Sequence, residues 1–415
     1  MTDRREAATR WAAVLTACAA GVAVALNVGK VPVALSLLRE EFGLTLLQAG
    51  WVSSMLTTVA VLSAALFGLA VGHVGALRMA VVGLAVSMLA SLATLGAASA
   101  QALLWLRFIE GAGFIAVAVS CPALVSAAAA PADRRFAIGL WATYMPLGAS
   151  IAMAAAPLLL AAGGWRLLWE VTAAAMALAA TALLTQRRYY RSAEPATPTG
   201  EPAPAPAPAP APAADAGVTA LLRRPLPWVL AGCFGVWATQ HFALIIWMPT
   251  YLMEQRASSA GAAALLTALM LLACVPGNVV GGALVQRGVP RGALIAAAHV
   301  TTGLAGWACI GEGLPDALRY AASLLLSFSG GLIPAAVMSS SALVARTPQQ
   351  IATLQGLFMH GSQLGQFAGT PLIAAAVAVQ GHWSAALQIT LPAALAGALL
   401  GLGAWRLERR PMRLA

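Results

Sequence analysis

The chain is organised as long apolar stretches separated by short polar turns. The apolar stretches run for about 20 residues or more, the length at which a helix crosses the hydrocarbon core of a bilayer. This pattern predicts an all-α membrane protein with twelve transmembrane helices. The predicted spans lie near 12–38, 46–71, 77–97, 101–129, 136–162 and 165–186, and then near 228–253, 260–286, 292–310, 317–345, 351–379 and 384–406.

The second set of six stretches repeats features of the first about 217 positions later. Gly139-Leu140-Trp141 corresponds to Gly356-Leu357-Phe358, and Val31-Pro32 corresponds to Met248-Pro249. A doubled set of six spans is typical of secondary transporters, whose two halves rock around a central site. The repeat therefore predicts two six-helix bundles related by a pseudo-two-fold axis.

A polar segment separates the two sets of spans. Within it, Pro202 to Pro212 is a strict alternation of Pro and Ala, which favours extended polyproline II and cannot pack into a core. We therefore predict an N-terminal bundle over residues 1–188, a cytoplasmic Pro/Ala-rich linker over 189–226 and a C-terminal bundle over 227–415.

Composition supports a membrane location. The chain is 60% hydrophobic and 9% charged, whereas a soluble domain carries roughly 25% charged residues. The formal charge of +10 does not indicate nucleic-acid binding, because nearly all the arginines lie between spans or at the termini. With the N-terminus inside, only Arg39, Arg166, Arg256 and Arg319 fall in outside segments. The bias predicts a multi-pass membrane protein with both termini cytoplasmic. The Ala-rich composition, with Arg far more frequent than Lys, indicates a bacterial source and hence the bacterial inner membrane.

Glycines and arginines recur in the loops after the second and eighth predicted spans. The candidate gating residues there are Gly68, Gly75, Arg78, Gly281, Gly288 and Arg291. The first loop resembles the Gly-x-x-x-Asp-Arg-x-Gly-x-Arg loop of the major facilitator superfamily. Gly72 stands at the Asp position, so the resemblance does not extend to the gating salt bridge that this Asp makes in the family.

Two further motifs carry the same resemblance. The fourth span contains Arg107 followed four residues later by Gly111, and Gly164-Trp165-Arg166 precedes the sixth. Over essentially the whole chain, the sequence is similar to major facilitator transporters, which implies their two-bundle fold and alternating access. Asn27-Val28-Gly29-Lys30 and the Gly-rich fifth and eleventh spans resemble cyanate-permease-like bacterial transporters, a branch that implies a small anionic substrate.

Lys30 is the one lysine of the chain and lies within the first span. It falls roughly 27 Å along that helix at about 1.5 Å per residue, in the outer half of the membrane. An unpaired ammonium there is costly. Lys30 could anchor an anionic substrate, with Asn27 one turn earlier adding a hydrogen bond. It could also snorkel to the outer headgroups, or pair with Glu110.

Arg107 and Glu110 are spaced i, i+3 and so share a helix face. The pair could be a structural charge lock, or Glu110 could be a proton-coupling group that acts through Arg107. Together with Lys30, the two residues give the spans of the first half a net charge of +1. A low-dielectric cavity with this charge favours an anion.

The second half offers neutral polar and aromatic groups in its spans. We predict that substrate contacts come from both halves, through Lys30, Asn27, Tyr144, Trp247, His241, His360 and Gln363. A histidine in a span can couple to protons, although hydrogen bonding between helices and packing are alternative roles for such residues.

These patterns predict secondary active transport of a small organic or inorganic anion, proton-coupled or by exchange, and not an enzyme. The alternative is efflux of an amphiphilic or toxic compound by proton antiport. The sequence has no phosphate-binding Gly-x-x-x-x-Gly-Lys-Ser/Thr loop for ATP. We expect no cofactor, no metal and no nucleic-acid partner. The expected partners are the substrate, protons or a counter-substrate, and the lipid bilayer. The protein is expected to be a monomer.

Overall fold

The computed structural model describes residues 8–130, 133–190, 220–344 and 348–409. These residues form helices without strands. In the N-terminal half the helices are α1 (Trp11–Phe42), α2 (Leu46–Val74), α3 (Ala76–Thr94), α4 (Ala100–Ala128), α5 (Arg134–Trp141) and α6 (Tyr144–Thr185). In the C-terminal half they are α7 (Pro225–Arg256), α8 (Ala260–Leu272), α9 (Cys274–Gln286), α10 (Arg291–Ile310), α11 (Asp316–Val344), α12 (Pro348–Gln380) and α13 (Leu387–Arg409). Short 3₁₀ turns occupy Arg187–Tyr189 and Trp383–Ala386.

The helices coincide with the predicted spans within a few residues. Among the described residues, nine helical stretches are long and apolar enough to cross a membrane. One of them, Phe136–Thr185, includes the non-helical residues Gly163 and Gly164 and so contains two of the predicted spans. Gly164 has φ +65°, which favours glycine and lets the chain reverse into the second part of α6. The count of twelve spans stays a prediction.

Each half begins and ends at the same end of the molecule, here called the terminal end. In the N-terminal half, Arg10 donates its backbone N–H to Ala128 O at the end of α4, and Tyr190 donates its hydroxyl to Ala13 O. In the C-terminal half, Glu408 near the end of α13 accepts from the backbone N–H of Gly292 at the start of α10. The opposite end is formed by the end of α1, the start of α2 and their counterparts.

Three hydrophobic clusters show how the halves meet. One cluster consists of residues of the N-terminal half, numbered from Ala13 to Tyr190. Another consists of residues of the C-terminal half, numbered from Leu221 to Ala404. The third joins both halves and contains the parts of α1 and α7 that lie toward the opposite end. The two halves therefore pack together from mid-depth to the opposite end, whereas the large clusters nearer the terminal end each belong to one half.

The structure describes only part of the predicted linker and gives the places of the predicted gating residues. Of the predicted linker, residues 191–219 lie outside the described residues, and so does the Pro-Ala alternation. The division into domains stays a prediction. Among the predicted gating residues, Gly68 lies within α2, Gly75 has φ +94° before α3, and Gly288 has φ +87° before α10.

Candidate functional site

A buried charge cluster lies in the middle of the N-terminal half. Lys30 on α1 and Glu110 on α4 are completely buried, and Arg107 on α4 is 1% exposed. Lys30 Nζ lies 2.7 Å from Glu110 Oε1, and Arg107 Nη1 pairs with Glu110 Oε2. One carboxylate is thus shared by two cations, and we name these three residues the charge cluster.

Close helix crossings hold the two helices of the charge cluster in place. Gly29 lies against α6, where a methyl group would come 2.1 Å from the Ala149 carbonyl oxygen. Gly111 lies against α2, where a methyl group would come 2.3 Å from the Leu56 carbonyl oxygen. Glycine is therefore required directly beside Lys30 and beside Glu110, because any side chain would push the helices apart.

The ammonium group of Lys30 makes its contacts within the N-terminal half. Besides Glu110, its ammonium donates to Ser91 Oγ at 2.5 Å and lies 4.5 Å from the centre of the Trp169 ring. A carboxylate, a hydroxyl and an aromatic face together satisfy a buried ammonium. Of the three roles predicted for Lys30, the ion pair with Glu110 is the one its contacts show, and the side chain does not extend toward a membrane surface.

Arg107 links three helices and reaches the interface between the halves. Its Nε donates to Val52 O on α2 and its Nη2 to Asn27 O on α1, both at 3.2 Å. With the bond to Glu110, three of the five guanidinium N–H groups are used. Arg107 also lines a small cavity between the halves. Arg107 is therefore the charged residue of the cavity lining, and two of its N–H groups have no partner among the described residues.

The cavity between the halves has a volume of about 20 Å³. Its walls come from α1, α2, α4, α7 and α12, and the lining residues are Val28, Val31, Ser53, Leu56, Thr57, Arg107, Phe242, Ile246 and Gln366. A cavity needs roughly 10–15 Å³ to hold one water molecule, so this one has room for about one. The structure is therefore closed around the position between the halves.

The predicted substrate residues lie one helical step from this lining. Asn27 and Lys30 are buried within the N-terminal half, whereas their neighbours Val28 and Val31 face the cavity. A step of one residue rotates a side chain by about 100°, which moves it to another face of the helix. The contacts thus divide α1 into an inner face that holds charge and an interface face that is apolar.

On α7, too, the predicted residues lie next to the residues that line the cavity. His241 is buried and stacks on Trp237 with ring centres 4.9 Å apart, and neither of its ring nitrogens has a hydrogen-bond partner among the described residues. Trp247 donates its indole N–H to Thr370 O on α12. The cavity is instead lined by their neighbours Phe242 and Ile246.

The remaining predicted residues also lie outside the lining. On α12, Gln363 is buried and its Oε1 has no partner among the described residues, while His360 is exposed, one turn from the exposed Leu364. Gln366, one turn beyond Gln363, lines the cavity and donates to Ser362 Oγ at 3.3 Å. Tyr144 stacks on Trp141 with ring centres 4.3 Å apart.

Of the predicted gating residues, Arg291 has the clearest contacts. At the start of α10, it donates from Nε to Ser339 Oγ on α11 at 3.3 Å. Gly281 lies on α9, where a methyl group would come 2.9 Å from Leu332 Cα on α11. Arg78 is exposed. These residues lie toward the terminal end of each half, and a gating role stays a prediction.

At the opposite end, a salt bridge joins the two halves. Arg39 Nη1 on α1 lies 3.0 Å from Glu254 Oε1 on α7, and the other oxygen of Glu254 accepts from the Trp383 indole at 3.0 Å. Nearby, the ring centres of Trp51 on α2 and Phe367 on α12 lie 5.3 Å apart. These contacts form the part of the interface that must separate if the opposite end opens.

Glu254→Gln is expected to weaken this closure without unfolding the protein. An exposed salt bridge contributes about 0–1 kcal/mol, so the thermal stability should change little. The salt bridge does cross the interface, so its loss should add a population with a wider opposite end. Spin labels at Leu47→Cys and Val379→Cys, in a chain whose native cysteines are replaced, would report this as longer inter-label distances.

Glu312→Gln is the matched control for this experiment. Glu312 is an exposed carboxylate at the same end and forms no salt bridge among the described residues. It should leave the distances unchanged. Identical distance distributions for Glu254→Gln and the unmodified chain would show that the salt bridge does not hold the halves together.

The family model described as Major Facilitator Superfamily matches residues 17–370. The chain belongs to the Major Facilitator Superfamily. A search of curated proteins found no match. The chain is thus a multi-pass membrane protein of a family whose members transport small molecules by alternating access.

Solved structures share the fold. The chain is similar to a bacterial homolog of the human lysosomal transporter Spinster, in its inward-facing and occupied conformation, with 17% identity and a TM-score of 0.76. That match covers 98% of this chain and 99% of the other. The inward-facing and unoccupied conformation of a bacterial Spinster homolog matches with 17% identity and a TM-score of 0.75, over 98% and 100% of the chains. At this identity the likeness establishes the fold alone.

Proposed function

We propose that this protein is a secondary transporter of a small organic or inorganic anion in the bacterial inner membrane, with both termini in the cytoplasm. The observation that carries the proposal is the position of Arg107. It is the charged residue that lines the cavity between the halves, and it belongs to a cluster with a net charge of +1. A desolvated positive charge favours an anionic ligand over a cationic one.

In this proposal the substrate anchor is Arg107 and not Lys30. The ammonium of Lys30 is occupied by Glu110 and Ser91, whereas Arg107 has donors left and lies at the cavity. Hydrogen bonds from the C-terminal half would come from Gln366, and Phe242 and Ile246 would bound the substrate on that side. The anion would thus be held by charge from one half and by neutral groups from the other.

Within this proposal, the closed opposite end faces the outside of the cell. With the termini in the cytoplasm, the salt bridge between Arg39 and Glu254 lies on the outer side, and the protein is closed to that side around a central cavity of about 20 Å³. Substrate entry would require the halves to separate further. The cyanate-permease-like branch stays a prediction within this proposal.

Glu110 is the group that could couple transport to protons. It holds both Lys30 and Arg107, so the arrival of a proton on it would weaken both ion pairs at once and release Arg107 toward the cavity. Exchange of one anion for another would leave Glu110 ionised throughout. The charge cluster therefore serves either as a proton relay or as a permanent lock.

Uptake by proteoliposomes tests the proposed function. We expect the purified protein to accumulate one or more small radiolabelled anions, such as cyanate, formate or nitrate, and not their neutral or cationic analogues. Accumulation should respond to an imposed pH gradient if Glu110 couples protons, or to internal unlabelled anion if exchange operates. Uptake of none of the anions under either condition would contradict the proposal.

Efflux of an amphiphilic compound is the second candidate function. The observation in its favour is the apolar lining, which includes Val28, Val31, Leu56, Phe242 and Ile246. Proton antiport would then use Glu110. A deletion strain that becomes sensitive to such compounds, and is rescued by the unmodified protein but not by Glu110→Gln, would favour efflux over anion transport.

A further inference from the structure

A second cavity lies within the C-terminal half, near the opposite end. It is separate from the cavity between the halves and larger, at about 90 Å³. This is several times the roughly 10–15 Å³ that a cavity needs to hold one water molecule, so it has room for several water molecules or a small organic ligand. Its walls come from the end of α7, from α8, from the end of α10 and from the first two turns of α11.

Arg319 on α11 is the buried cation of this cavity. Its side chain is 7% exposed, and it was expected from the sequence to lie in an outside segment. Its Nε donates to Leu314 O at 2.8 Å and its Nη1 to the Tyr251 hydroxyl at 3.0 Å. These bonds leave both N–H groups of Nη2 and one of Nη1 available to a ligand that enters the cavity.

The charge of Arg319 has no carboxylate partner. Among the described residues, no Asp or Glu oxygen lies within 4.0 Å of its guanidinium. The nearby Asp316 pairs with Arg256, which also lines the cavity. Two guanidinium groups and one carboxylate give the cavity a net charge of +1. A buried charge of this kind is costly unless water or an anion receives it, and an anion would also neutralise it.

The rest of the wall defines the shape of that anion. Met248, Leu252 and Leu266 contribute apolar groups to the lining, and Arg319 and Tyr251 contribute polar ones. A guanidinium matches the two oxygens of a carboxylate in geometry and charge. The combination of a planar cation and an apolar wall fits a carboxylate with a short hydrocarbon tail.

We propose that this cavity binds a small carboxylate, with the carboxylate group on Arg319 and the tail against Met248, Leu252 and Leu266. The site lies wholly within the C-terminal half, so it does not depend on the anion transport proposed for Arg107. Under the proposed orientation it faces the outer side of the membrane, where it would sense or collect carboxylates near the closed end of the interface.

Equilibrium binding of radiolabelled butyrate to the full chain tests this proposal. The protein is placed in nanodiscs of phosphatidylcholine, and butyramide serves as the neutral analogue of the same shape. We expect saturable binding of butyrate that butyramide does not displace. Arg319→Gln should weaken binding by at least about tenfold, the effect of about 1.4 kcal/mol. Arg319→Lys, which keeps the charge and tests the site if the glutamine variant does not fold, should weaken it less.

Controls separate this site from the other cationic groups. Arg107→Gln should retain butyrate binding, even if it abolishes transport. In nanodiscs that contain phosphatidylglycerol, at an ionic strength high enough to screen the lipid charge, the affinity for butyrate should be the same as in phosphatidylcholine at the same ionic strength. A lower affinity there would identify a lipid headgroup as the occupant and overturn the proposal. So would the absence of saturable binding, equal competition by butyramide, or unchanged binding in both Arg319 variants.

Discussion

Glu110→Gln is expected to lower the free energy of unfolding by about 3–5 kcal/mol, the usual cost of leaving a buried charge without its partner. The substitution keeps the shape of the side chain but leaves Lys30 and Arg107 buried with no carboxylate between them. The net charge of the cluster rises from +1 to +2. Thermal unfolding of the purified protein in detergent would measure the loss.

A second substitution should restore most of the lost stability. In the double variant Lys30→Met with Glu110→Gln, one cation is removed together with the carboxylate, and the net charge returns to +1. Lys30→Met alone leaves Arg107 and Glu110 paired and should cost less than Glu110→Gln. Ser91→Ala, which removes a neutral partner of Lys30, controls for packing. Equal stability of Glu110→Gln and the unmodified chain would show that the cluster is not a charge lock.

Arg107→Gln is expected to abolish anion transport while the fold persists. Lys30 and Glu110 remain as a neutral pair, so the variant should reach the membrane in near-normal amounts. Truncating one partner of a buried charge interaction costs about 2–5 kcal/mol, which corresponds to a loss of at least about thirtyfold in apparent affinity. Uptake into proteoliposomes over a range of anion concentrations would measure it.

The matched variants for Arg107 isolate its chemistry. Arg107→Lys keeps the charge but cannot reach Val52 O, Asn27 O and Glu110 together, so intermediate transport is expected. Arg187→Gln removes an exposed arginine outside the helix bundles and should transport normally. Normal uptake by Arg107→Gln would exclude Arg107 as the substrate anchor. Lys30 and the polar groups of the C-terminal half would then be the remaining candidates.

The helices could be predicted from the sequence because lipid imposes a length on every apolar stretch. The first predicted span, near 12–38, corresponds to α1 (Trp11–Phe42). The stretch near 260–286 was predicted as one helix, whereas the structure divides it at Ala273 into α8 and α9. Helix α8 ends at Leu272, four residues before Pro276, which has no N–H to donate to the Leu272 carbonyl and whose ring clashes with it. Hydropathy alone does not predict such a break.

The charge cluster was only partly predictable. Arg107 and Glu110 lie on one helix, where a spacing of three residues fixes their proximity. The partner of Lys30 depends on how α1 packs against α4, 80 residues away in the chain. The short list of buried charges made Glu110 one of the candidates. The contacts show that the ion pair, the third of the roles considered, is the one Lys30 adopts.

Arg319 illustrates what sequence reasoning missed. In the sequence, an arginine near the end of a span indicates topology, and Arg319 is in the first turn of α11. Its burial results from the loop before α11 and from the Tyr251 hydroxyl on α7, neither of which forms a sequence motif with it. Likewise, Phe242, Ile246 and Gln366 line the central cavity, whereas the predicted residues His241, Trp247 and Gln363 do not. Which face of a helix points into the cavity depends on the rotation of the helix in the bundle, and the sequence does not give that rotation to within one residue.

The +1 charge of the cluster would make the proposed transport cycle sensitive to voltage. With a monoanion bound, cluster and ligand together are neutral, so the membrane potential does little work on the loaded step. The empty protein keeps the +1 charge, which is worth at most about 2.3 kcal/mol per 100 mV if it crossed the whole field. An interior-negative potential would therefore draw empty carriers toward the inward-facing state and favour anion export. Import against that potential would require a proton to travel with each anion.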